Sequence, residues 1–152
     1  MREHMGLYRG KRIDNGKWVQ GYYMCLGKKY HYILVGKLDI TCGYPDLIKH
    51  PVDPDTVGEC CGGLRDKNGK LIFEGDIVCH SNENPYELPD DVEKGKVYWD
   101  MEYCGWRRTS NSAFHHGVID TYRMSPSCIY EIIGNIYDNP EILKGGADEG
   151  TK

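Results

Sequence analysis

Cysteine and histidine are the residue types here that most readily bind metal or act as nucleophiles, and the chain has seven of one and six of the other. Their spacing serves neither chemistry well. Structural zinc sites usually take their ligands as pairs separated by about two to four residues. The pairs here are Cys60 with Cys61, Cys79 with His80, and His115 with His116, all directly adjacent. Neighbours on a strand point to opposite faces, so an adjacent pair presents only one ligand to an ion. No metal and no other cofactor is expected. A cysteine nucleophile needs a base within hydrogen-bond reach. Cys60 or Cys61, followed by Gly62 and Gly63, would suit an exposed loop of that kind, but a turn that requires glycine accounts for the same residues. Asp53, Asp55, Asp66, Glu74 and Asp76 are candidates for acid–base work, yet each also has a structural place as a cap or turn residue. The run Cys61 to Leu64 lacks the Gly-Lys-Ser or Gly-Lys-Thr ending of a phosphate loop. The expectation is a protein without catalytic residues; a cysteine-dependent enzyme is the third reading.

Binding chemistry is better represented. Arg2, Arg9, Lys11, Arg12 and Lys17 form a basic cluster near the start, and Arg107 and Arg108 follow Trp106. Arg9, Lys11, Arg12, Trp106, Arg107 and Arg108 are therefore the candidate binding residues, with a solvated strand edge as the plainer explanation of each cluster. A net charge of -4 disfavours broad nucleic-acid binding, which relies on neutralising many phosphates. Tyr22, Tyr23, Tyr30, Tyr32, Tyr98, Trp99, Tyr103 and Trp106 exceed what packing alone requires, and Tyr and Trp are the side chains that anchor interfaces or stack on bases.

The elements that must carry these residues read as strands and turns. At 152 residues one domain is expected, spanning 1–144, with a disordered tail at 145–152. Twelve tyrosines and nineteen glycines favour β structure with tight turns. Leu7 to Leu26 reads as a hairpin about Asp14-Asn15-Gly16, and Tyr30 to Val35 as a further strand. Gly36 to Pro54, interrupted by three prolines, reads as a loop or a run of edge pieces, with Asp53 and Pro54 suited to start one helical turn.

Leu64 to Val78 has the clearest grammar: a turn at Asp66 to Gly69, a short strand, then a Gly75-Asp76 corner whose carboxylate is placed to accept backbone N–H groups. Beyond an acidic run expected to be exposed and mobile, strands are expected at Lys96 to Trp99, Tyr103 to Arg108, Gly117 to Tyr122, and Cys128 to Tyr137. A short terminal helix is expected at Glu141 to Lys144. The fold class is mainly β: a small barrel with SH3-like elements, or several small antiparallel sheets. No stretch approaches the roughly eighteen apolar residues of a membrane helix, and the first twelve residues lack the apolar centre of a signal peptide. No membrane contact is expected. The expected location is the cytoplasm.

Four stretches together resemble the YopX-like proteins of phages and prophages. They are Tyr8 to Tyr22 (YRGKRIDNGKWVQGY), Asp53 to Gly58 (DPDTVG), Leu64 to Val78 (LRDKNGKLIFEGDIV) and Glu131 to Leu143 (EIIGNIYDNPEIL). Cys60-Cys61-Gly62-Gly63 departs from the family pattern of an aromatic residue and Thr before a single Gly. The resemblance implies a small β-rich phage protein that self-associates in the bacterial cytoplasm, and it carries over no functional residue. The expected function is a phage or prophage accessory protein that binds copies of itself, or a host or phage protein. The alternative is a nucleic-acid-binding small barrel.

Overall fold

The computed structural model describes residues 6–37, 46–81, 93–110 and 121–144. The acidic run up to Val92, Cys42, His115-His116 and the tail from 145 lie outside the described residues, as does most of the strand expected at Gly117 to Tyr122. The chain divides into two compact units, Met1–Gly63 and Leu64–Lys152.

In the first unit, β1 (Leu7–Lys11), β2 (Trp18–Leu26), β3 (Tyr30–Lys37), β4 (Asp46–Pro51) and β5 (Gly58–Arg65) lie in the order β4-β3-β2-β1-β5. The β1–β2 hairpin closes where expected, because Asn15 and Gly16 suit its turn. The Asn15 side chain accepts the Lys17 N–H at 3.0 Å, and the Arg12 N–H donates to the Lys17 carbonyl at 2.9 Å. β4 is an edge strand, one of the two forms expected for the stretch from Gly36 to Pro54, and it sits at the end of the order, where Pro51 removes no interior ladder bond. The single helical turn is present as a 3-10 turn at Pro54–Thr56, capped by Asp53, whose carboxylate accepts the Asp55 N–H at 3.1 Å. Cys60 and Cys61 are not in an exposed loop. They are buried residues of β5, because small apolar thiols are suited to close packing.

The second unit takes up the chain at the last residues of β5. β6 (Leu71–Phe73) and β7 (Asp76–Ser81) follow, then β8 (Lys94–Asp100), β9 (Gly105–Thr109), β10 (Thr121–Arg123) and β11 (Ile129–Asn135). Five strands make an antiparallel sheet in the order β10-β9-β8-β7-β11. Ile72, Phe73, Ile77, Val78 and Val97 are wholly buried. The unbroken burial of Gly75 through Cys79 is what a strand covered on both faces looks like. The segment Leu64 to Val78 organises this unit through its carboxylates. Asp66 accepts the N–H groups of Asn68 and Lys70, both at 2.9 Å, and that of Ile132 on β11 at 3.4 Å. Asp76 accepts the Phe73 N–H at 2.8 Å while 1% exposed. The corner between them is gripped from two sides: the Gly75 N–H donates to the Val97 carbonyl, and the Gly75 carbonyl accepts from Ile136.

The expected terminal helix is only a 3-10 turn at Pro140–Leu143. Its Asn139 N-cap makes no side-chain capping bond, and four residues cannot offset the cost of nucleating an α-helix. Both sheets are antiparallel, and the fold is mainly β, the class expected from the sequence.

Candidate binding surfaces

The six candidate residues divide between the two units. Arg9, Lys11 and Arg12 belong to the first, on or just after β1; Trp106, Arg107 and Arg108 are consecutive on β9 of the second. Arg9 is 6% exposed, with its guanidinium 4.8 Å from the centre of the Trp18 ring. Lys11 lies 5.8 Å from the same ring. Arg12 pairs with Asp14, whose carboxyl it holds below the ordinary range. Stacking of this kind is favourable because the ring face is negative, and more so when the cation is desolvated.

On β9 alternation separates neighbours. Arg108 is 4% exposed; it donates to Glu93 at 2.7 Å and lies over the Tyr122 ring, the residue directly opposite on β10. Trp106 faces Trp99 of β8 edge to face, with ring centres 5.2 Å apart. Arg107 points to the other face. Its Nε and Nη2 donate to the Thr121 hydroxyl at 3.1 and 2.8 Å, Nη2 also reaches the Thr121 carbonyl at 2.7 Å, and Asp100 lies 3.7 Å away. The Tyr103 ring covers the guanidinium, 4.4 Å from its centre.

The turn joining β8 to β9 places Tyr103. Asp100 accepts the N–H groups of Glu102 and Tyr103, and Cys104 takes a φ of 46°, a left-handed conformation uncommon outside glycine. Tyr103, Cys104, Gly105, Trp106, Arg107 and Arg123 line a hollow of about 200 Å³. Arg123 is the functional candidate that sequence reasoning missed. It stands directly opposite Arg107 in the β9–β10 register, a pairing that depends on strand alignment and leaves no local motif.

The thiols divide by environment. Cys25 and Cys104 are exposed; Cys60, Cys61 and Cys79 are buried. Burial, and then the Glu131 carboxylate, push the Cys79 thiol above its ordinary range, which keeps it protonated and unreactive. Among the described residues no three His, Cys, Asp or Glu side chains converge as metal ligands. Nor, among them, is any helix long and apolar enough to cross a membrane.

A second exposed surface lies on the first unit. Leu26 of β2 stands directly opposite Tyr30 of β3, Met24 opposite Tyr32, and Tyr22 opposite Leu34. Because side chains alternate, these six share one face. Tyr22, Leu26 and Tyr30 are each at least half exposed there, at 57%, 55% and 50%. Lys29 lies over the ring of Tyr30 and Lys49 over that of Tyr32, which gives the apolar patch a cationic rim.

These features define an antiparallel β protein of two units in which Arg9, Lys11, Arg12, Arg107 and Arg108 are stacked on its own aromatic rings or paired with its own carboxylates. The YopX protein family model matches residues 7–144. The chain belongs to the YopX family. It is also similar to a crystal structure of protein EF1440 from Enterococcus faecalis, at 21% identity, covering 90% of this chain and 96% of that one with a TM-score of 0.47. No curated protein matches it.

Proposed function

We propose that this chain is a phage or prophage accessory protein of the bacterial cytoplasm that works by binding protein, copies of itself first, and has no catalytic step of its own. The observation that carries this reading is the shared face of β2 and β3, where Tyr22, Leu26 and Tyr30 expose large apolar side chains inside a rim of lysines. Single exposed hydrophobes are ordinary on a soluble surface, but a contiguous apolar patch with a polar rim is the anatomy of an interface. Tyrosine suits the role because it brings large contact area with little rotamer entropy to lose.

The nucleic-acid reading draws less support. It needs Arg9 and Arg108 as surface charges, and both are buried, stacked on Trp18 and Tyr122. If that reading is right instead, binding to DNA or RNA falls steeply with salt and weakens when Arg107 and Arg108 are changed to Ala.

Light scattering and native mass spectrometry on the purified chain test the proposal. A mass above that of the monomer, rising with concentration, is expected. A strict monomer at high micromolar concentration overturns self-association, and pull-down from infected cells then tests a host or phage partner.

A further inference from the structure

The β9–β10 register sets Arg107 and Arg123 directly opposite one another. Like charges in that position repel and destabilise a sheet. The surroundings relieve only one of them. Arg107 is held at Nε and Nη2 by Thr121, faces Asp100 at 3.7 Å and is covered by Tyr103. The Arg123 side chain makes no hydrogen bond or ion pair among the described residues. Both line the same hollow, together with Tyr103.

We infer that this hollow binds the phosphate group of a small phosphate monoester, with Arg107 and Arg123 as its two cationic ligands. Several properties point to this chemistry. Two arginines and Asp100 leave one net positive charge at the site, which an oxyanion neutralises. A carboxylate has two oxygens in one plane and matches a single guanidinium fork best. A phosphate ester presents three terminal oxygens around a tetrahedron and can engage two guanidiniums at once. The contacts from Thr121 and Asp100 fix the Arg107 side chain before any ligand arrives, so little rotamer freedom remains to be lost on binding. At about 200 Å³ the hollow is below the range of roughly 300–1,000 Å³ that encloses a drug-sized ligand. It takes the phosphate and the first part of what the phosphate is attached to, and leaves the remainder against the Tyr103 ring.

Calorimetric titration of the full chain at low salt, with inorganic phosphate, adenosine monophosphate, phosphotyrosine and unphosphorylated adenosine as probes, tests the site. Saturable binding of at least one phosphorylated probe is expected, with none for adenosine. The arms separate the sources. Equal affinity for all three phosphorylated probes identifies free phosphate as sufficient, while tighter binding of the aromatic esters, reduced by Tyr103→Ala, identifies an ester whose ring lies on the wall. Arg123→Gln is expected to weaken binding by about tenfold or more, the scale of one lost charge-assisted contact, and Arg123→Lys to restore part of it. Arg123 is exposed, so the Gln variant keeps its fold, checked by an unchanged thermal midpoint. Absence of binding by every phosphorylated probe up to millimolar concentration overturns the inference. So does binding that Arg123→Gln leaves unchanged.

Discussion

Asp66 shows how a residue that looks available for chemistry can be committed to structure. Its carboxylate is 7% exposed and collects N–H groups from its own turn and from Ile132, 66 positions away. Replacing it with Ala strands those donors in a buried setting, and a loss of about 1–3 kcal/mol is expected in denaturant unfolding. Gly75 makes a complementary point about backbone. Its φ is +83°, and a Cβ there would lie 3.0 Å from the Tyr137 ring. Gly75→Ala therefore combines left-handed strain with overpacking and is expected to cost about 1–3 kcal/mol, read from the shift of the unfolding midpoint.

The β2–β3 ladder is where stability and the proposed binding can be told apart. Tyr22, Leu26 and Tyr30 point outward and contribute little to packing, so changing Leu26 and Tyr30 to Ser should alter unfolding free energy by no more than about 0.5 kcal/mol per site. The same double change is expected to reduce the larger species to monomer in native mass spectrometry. Retention of the larger species with both residues changed would move the interface elsewhere. The β11 strand obeys a different constraint. Its register shifts between Ile132 and Gly134, and a Cβ on Gly134 would come within 2.8 Å of Asn139 and Ile142, so the irregularity leaves room for the 3-10 turn that follows.

For the molecule as a whole, stability should fall at both ends of the pH range for separate reasons. Burial pushes the Asp66 carboxyl up, but N–H donation from Lys70, Ile132 and Asn68 outweighs it and leaves the group below its ordinary 3.8. With the folded value depressed, the unfolded chain takes up the proton first. The stabilisation is complete above about pH 4 and is lost as pH falls through the folded value. Tyr130 works in the opposite direction. Burial pushes its hydroxyl from 10.0 up to about 12. With the folded value raised, the unfolded chain loses the proton first. The contribution is complete below about pH 10 and is lost as pH rises towards about 12. Thermal midpoints across pH check both arms: Tyr130→Phe should flatten the alkaline decline, and Asp66→Asn the acid one.

Turns and strands were legible because their causes are local. Asn15-Gly16, Asp53-Pro54 and the run from Asp66 to Asp76 carry in a few residues the φ preferences and side-chain acceptors that each turn needs, and all three stand where the sequence places them. The family was legible for the same reason, since its phrases are largely these turns. The 3-10 form of the last turn and the strand character of Cys60 and Cys61 were harder to read because each depends on what packs alongside. Partnership between distant residues was not in the sequence at all. That Arg9 is buried on Trp18, that Arg108 is buried with Glu93, and that Arg123 stands opposite Arg107 follow from strand order and register. A single strand does not choose its register; the strands beside it do. The sequence by itself determined a β protein built on glycine-bearing corners, and the tertiary structure decided which of its charges are buried and which stay exposed, because burial follows from strand order and register.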